Sequence, residues 1–274
     1  MTSLRVVGAV RERPSGLQRA VHEPPLHPHP VSLIFLGNHM IEKRIGLVIP
    51  SLNVVVEDDL KRELPANVGM HITRVRLGKT AGRVTQQALL DAGREAVALA
   101  TLLSDAGMDA IALNCTGASL SDGSEGARRL RDEIAAATKT AATTTILSVV
   151  RALQASGLKR IVHICPFTPE FGADEANFLR AEGFDLVASR GLNFTDARVA
   201  AKLTPQEICD IAAALDHPEA EGMFLACANV RAMEATAALQ QRLGKPVVTS
   251  NQAILWDLLD MIGHPDAPKF VARV

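Results

Sequence analysis

Residues 108–119, MDAIALNCTGAS, and residues 220–232, AEGMFLACANVRA, follow one pattern. Each has an acidic or small lead-in, an apolar run of five or six residues, a cysteine, and then small or polar residues suited to opening a helix. A short apolar run bounded in this way reads as a buried strand. Cys115 and Cys227 stand 112 positions apart, about half of residues 40–274. A repeat on that scale predicts two similar half-domains, each presenting one strand-end cysteine to a shared cleft.

Outward from these segments, strand-like runs at 45–49, 70–75, 161–164, 184–188 and 246–248 alternate with helical patterns. The helical patterns cover 54–62, 84–104, 128–137, 145–156, 169–182, 205–215, 230–243 and 253–262. Strands alternating with helices of this length predict an α/β fold: two pseudo-symmetric domains, each a parallel sheet flanked by helices. In such sheets ligands bind beyond the carboxyl ends of the strands, here in the cleft between the domains. The expected division is 40–142 plus 247–274 for the N-terminal half-domain and 143–246 for the C-terminal one. Residues 1–39 hold five of the fourteen prolines and four of the eight histidines, and read as a disordered extension or translated leader ahead of Met40.

Composition removes several function classes. Among 274 residues, 29 Lys+Arg balance 30 Asp+Glu, leaving a net charge of -1 and no basic stripe for a nucleic acid or a membrane surface. There are eight Phe, one Trp and no Tyr, too few aromatics for base-stacking platforms and no phenol for any chemistry. Cys115, Cys165, Cys209 and Cys227 include no closely spaced pair of the zinc or redox type. Free thiols in a reducing cytoplasm are therefore expected. The longest apolar stretch, 96–103, is broken by Thr101 and is far shorter than a membrane span.

A helix N-terminus offers unpaired N–H groups and partial positive charge, which favour a thiolate and can hold a carboxylate or enolate oxygen. Cys115, before Thr116 and Gly117, and Cys227, before Ala228 and Asn229, both stand where such a terminus would begin. Cys165 and Cys209 lack that setting and read as packing residues. Asn53 follows the first strand and can donate to a carboxylate, or serve as a turn or capping residue. The polar run Thr249-Ser250-Asn251-Gln252 fits helix capping. Gly78-Lys79-Thr80 lacks the earlier glycine of a phosphate-binding loop, no G-x-G-x-x-G follows a strand, and His163 inside an apolar run reads as a core histidine.

The segments IGLVIPSLNVVVEDDL, IALNCTGAS, ICPFTPEF, FLACANVRA and VVTSNQAILW, spread over residues 45–256, resemble the aspartate/glutamate racemase superfamily. The nearest likeness is to the branch holding maleate cis-trans isomerase and arylmalonate decarboxylase. That resemblance implies an active site between the two domains, with Cys115 as nucleophile, Cys227 as proton donor and no metal or organic cofactor. It places Asn53, Thr116, Gly117, Ala228 and Asn229 at the substrate carboxylates. The family's pocket tyrosine falls on Phe167 and a later asparagine on Ala197, so two donors to the second carboxylate are missing. The expected activity is isomerisation of a small dicarboxylate, maleate to fumarate in type. The alternatives are a racemase or another carbanion-forming enzyme, including one like arylmalonate decarboxylase, on a different small carboxylate, or a catalytically idle homologue. A small carboxylate substrate, no nucleic-acid or membrane partner, and a homo-oligomer are expected.

Overall fold

The computed structural model describes residues 40–79 and 84–267; the extension expected at 1–39 lies outside them. The first part of the chain forms β1 (Lys43–Pro50), α1 (Val56–Glu63), β2 (Val68–Val75), α2 (Gln86–Ser104), β3 (Ala110–Leu113), α3 (Thr116–Leu120), α4 (Gly123–Thr138) and β4 (Ala141–Thr144). It continues through α5 (Thr145–Ala155), β5 (Arg160–Cys165), α6 (Pro169–Ala181), β6 (Asp185–Gly191), α7 (Ala197–Ala200), α8 (Pro205–Ala214), β7 (Gly222–Leu225), α9 (Ala232–Leu243), β8 (Val247–Thr249) and α10 (Ser250–Met261).

The strands make two parallel four-stranded sheets, ordered β2-β1-β3-β4 and β6-β5-β7-β8. The two orders are the same, so the repeat in the sequence is a repeat in the fold. The cysteine strands β3 and β7 are interior in each sheet and wholly buried, as expected for apolar runs covered on both faces. Local chemistry fixes the helix starts. Thr85 and Thr168 cap α2 and α6, and Thr204 with Glu207 forms a reciprocal capping box on α8 behind Pro205.

One face of the first sheet packs on α2 and α4 through Val48, Ile111, Leu113, Ala96 and Ile134. One face of the second packs on α8 and α9 through Val162, Met223, Ile208 and Leu239. The remaining faces are covered by exchange. Helix α5 follows β4 of the first sheet, yet Ile146, Val149 and Leu153 pack with Ile161 and Phe224 of the second. Helix α10 follows β8 of the second sheet, yet Ile254, Leu255 and Leu258 pack with Ile45, Leu47 and Ala110 of the first. Hydrogen bonding keeps all of β4 in the first sheet and β8 in the second, and only the helices after them change sides.

Candidate active site

The carboxyl ends of β1, β3, β5 and β7 converge on one cavity of about 120 Å³. Asn53, Cys115, Thr116, Gly117, Phe167, Cys227, Ala228 and Asn229, the residues singled out from the sequence, all line it, and so does Ala197. Its outer wall is apolar, with Leu77, Val84, Phe167, Phe171 and Phe194. Phe167 and Phe171 meet edge to face with ring centroids 5.5 Å apart. A Cβ on Gly117 would come within 2.8 Å of the Phe171 ring, so the glycine lets that ring close over the start of α3.

Cys115 immediately precedes α3, and the amides of Ala118 and Gly117 act to lower its pKa. Burial is the larger influence and pushes its pKa up to about 11. Cys227 follows β7 and receives the Asn229 N–H at 3.4 Å. Desolvation in the cavity, with the charges of Cys115 and Glu175 acting the same way, pushes Cys227 up to about 12 against that one N–H. A helix starts directly after Cys115, as expected, but not after Cys227, where α9 begins only at Ala232; at both sulfurs removal from water outweighs the nearby amides. All four cysteines are free.

Side chains from across the repeat hold the two cysteine loops together. Ser250 Oγ accepts the Cys227 N–H at 3.0 Å and lies 3.1 Å from Thr116 Oγ1. Asn251 Nδ2 donates to Ala228 O at 3.1 Å and to the buried Asp59 carboxylate at 2.9 Å. Asn53 Oδ1 accepts from the N–H groups of Val55 and Val56, capping α1, while its Nδ2 donates to Ala228 O at 3.1 Å. Asn229 Oδ1 accepts the Val54 N–H at 2.9 Å, and its Nδ2 donates to Ala197 O at 3.1 Å. Both asparagine side chains thus lock loops of the two halves to each other. Thr249 caps α10, as expected of that run, but Ser250 and Asn251 serve the cysteine loops.

Four further residues at the site escaped the sequence reading. Lys79 is the one cationic side chain among the described residues lining the cavity, and its Nζ is 3.8 Å from Asp196 of the opposite half. Cys165, read as packing, lines the cavity from the end of β5. Glu175 lines it from α6, where it lies one helical turn after Phe171; that i, i+4 spacing was the signal available. Asn114 precedes Cys115 with its Nδ2 buried and unpartnered. His163 is a core histidine as expected, but its Nε2 stands 3.1 Å from Glu175 Oε2. Cys209 is a packing residue on α8. Among the described residues no group of His, Cys, Asp or Glu is placed to hold a metal ion, and no helix is long and apolar enough to cross a membrane.

Two matching parallel sheets with paired strand-end cysteines at their junction define the two-domain α/β architecture of the aspartate/glutamate racemase superfamily. The arylmalonate decarboxylase family model matches residues 46–274, and the chain belongs to that family. A maleate isomerase of Pseudomonas putida is 27% identical over 229 residues, covering 79% of this chain and 90% of that protein. The structure of a maleate isomerase from Pseudomonas putida S16 with maleate shares the fold at a TM-score of 0.77, with 22% identity, over 81% of this chain and 93% of that one. So does a mutant Nocardia farcinica maleate cis-trans isomerase with a covalently bound succinylcysteine intermediate, at a TM-score of 0.75 and 22% identity, over 81% and 94% of the two chains.

Proposed function

We propose that the protein is a cofactor-independent isomerase that converts a small cis-dicarboxylate of the maleate type to its trans isomer through a cysteine adduct. The observation that carries this reading is the pair of strand-end thiols, Cys115 and Cys227, lining one cavity among main-chain amides. The names of the relatives and the succinylcysteine in one structural neighbour support it.

Cys227, whose thiol pKa burial raises, is the proton donor, and Cys115 at the start of α3 is the nucleophile. Its thiolate adds to one alkene carbon, and the π electrons move toward the carboxylate on the other carbon as an enediolate. Main-chain N–H groups at Thr116, Gly117 and Ala228 stabilise that charge where it develops. The Cys227 thiol gives its proton to the carbanion carbon, leaving a single bond free to rotate. After rotation the Cys227 thiolate removes a proton from the same carbon. The electron pair re-forms the double bond, the carbon–sulfur bond breaks, and the Cys115 thiolate is restored. With Phe167 and Ala197 in place of two neutral donors, Lys79 supplies the counter-charge for the second carboxylate.

The apolar outer wall favours a second reading: racemisation, or decarboxylation, of a carboxylate carrying an apolar substituent at the same thiol pair. One NMR panel in deuterated water, with maleate, aryl malonates and chiral amino and hydroxy acids, separates the reactions. Isomerisation gives the trans alkene, and Cys115→Ala and Cys227→Ala each abolish it. Substantial turnover in either variant would overturn the two-thiol mechanism. Deuterium at a stereocentre without change of alkene geometry would establish the second reading instead.

A further inference from the structure

Helix α1 opens with three acidic residues, as the positive end of a helix favours. Glu57 and Asp58 reach water, whereas Asp59 is 0% exposed. A carboxyl at that depth is costly unless its oxygens meet donors, and both do. Oδ1 accepts from the Arg62 guanidinium, and Oδ2 accepts from Asn251 Nδ2 at 2.9 Å. Arg62 lies on the same helix, but Asn251 comes from α10, which follows the second sheet. The same Nδ2 also donates to Ala228 O at 3.1 Å, where Asn53 Nδ2 donates at an equal distance. Asn251 Oδ1 is buried without a partner, so the amide is held for its donor end. Turned over, it would set its oxygen against a carboxylate and a carbonyl, which only accept. A trans peptide is planar, with its C=O and N–H pointing opposite ways. Two amides grip the C=O of Ala228, and the N–H of that same peptide, at Asn229, points at Cys227 Sγ at 3.4 Å.

We propose that Asp59 is a positioning residue for the Cys227 thiol: through Asn251 it fixes the Ala228–Asn229 peptide, whose N–H supports the sulfur when its proton leaves. Asp59 is not among the residues lining the cavity, and it acts through the bonds of Asn251. Cys227 has no helix start directly behind it, because α9 begins at Ala232, and its sulfur receives the Asn229 N–H instead. That N–H lowers the Cys227 pKa, against burial and the nearby Cys115 and Glu175. Cys165 also faces Cys227, while Asp59 faces Arg62 on its own helix and Glu234 and Arg231 at the start of α9. This assignment rests on the two-thiol reading, and its test is read without turnover, so the two fail separately.

The experiment is alkylation of the full-length protein by iodoacetamide at about pH 8, 9 and 10, followed on the Cys227 peptide by mass spectrometry in a Cys115→Ser background. Below the thiol pKa the rate follows the thiolate fraction. Adding Asp59→Ala should therefore lower the Cys227 rate about threefold at each pH, a pKa higher by about half a unit, because Asn53 still holds Ala228 O. General loosening would have the opposite sign, since opening the pocket exposes the sulfur and speeds its alkylation. Asp59→Asn, which drops the charge but keeps an oxygen for Asn251, should restore most of the parent rate. Asn251→Ala cuts the same chain one link later, should give the same fall, and serves if Asp59→Ala does not fold. A Cys227 rate unchanged or raised in either alanine variant would overturn the proposal, as would an equal fall in Asp59→Asn.

Discussion

At Cys227 the backbone turns to a φ of +88°, whereas Cys115, its counterpart in the repeat, is extended at −149°. A side-chain-bearing residue pays conformational strain at positive φ, and keeps it only where the surroundings hold it. The bonds from Cys227 N–H to Ser250 and from Asn53 and Asn251 to Ala228 O do so here. The thiols set the pH dependence. Cys115 is held at about 11, and raising the pH increases its nucleophilic thiolate. We expect kcat/KM for isomerisation to climb about tenfold per pH unit from 7 to 9, with no falling limb in that range because Cys227 ionises only near 12. A flat profile would mean that Cys115 need not ionise ahead of substrate. Lys79 belongs to the same scale. Lys79→Ala should raise KM for a dicarboxylate about tenfold, the loss of one charged contact, while sparing kcat. Equal KM values for the variant and the parent would remove Lys79 from substrate recognition.

Among the elements, long periodic helices and all-apolar strands were legible in the sequence to within a few residues. The strand β4 was not: Ala141–Thr144 reads AATT, with no large apolar residue, and only its place beside β3 makes it a strand. The helices α3 and α7 are too short, at five and four residues, to show a period. The cysteines and the small residues after them were legible because their spacing follows strand ends. Glu175, Lys79 and Cys165 were not, because what brings them together is the docking of α6, the Lys79 loop and β5 around the cavity. The junction of the exchanged helices makes its own prediction. Asp257 of α10 is fully buried and accepts from Thr143 of β4 and Ser148 of α5, each at 2.7 Å, besides pairing with Arg151. Asp257→Ala should lower unfolding stability by about 3 kcal/mol, two charged hydrogen bonds at about 1.5 each, read from urea denaturation. A loss under about 1 kcal/mol would show that the junction rests on apolar packing alone.

For the whole molecule, the site exists only where the two halves meet. Each half brings one sulfur, and the asparagines that staple the loops reach across from one to the other. The helix exchange gives this a sharper form. A chain ending after α5 would carry the first sheet with one face bare and a helix with nothing beneath it, and the remainder would be left in the mirror condition. Neither could bury its apolar surface unless a second copy lent the missing helix, which is the geometry of a swapped dimer. The present chain is that dimer written on one strand of peptide. Covalent linkage lets its two halves differ, as the backbone does between Cys115 and Cys227.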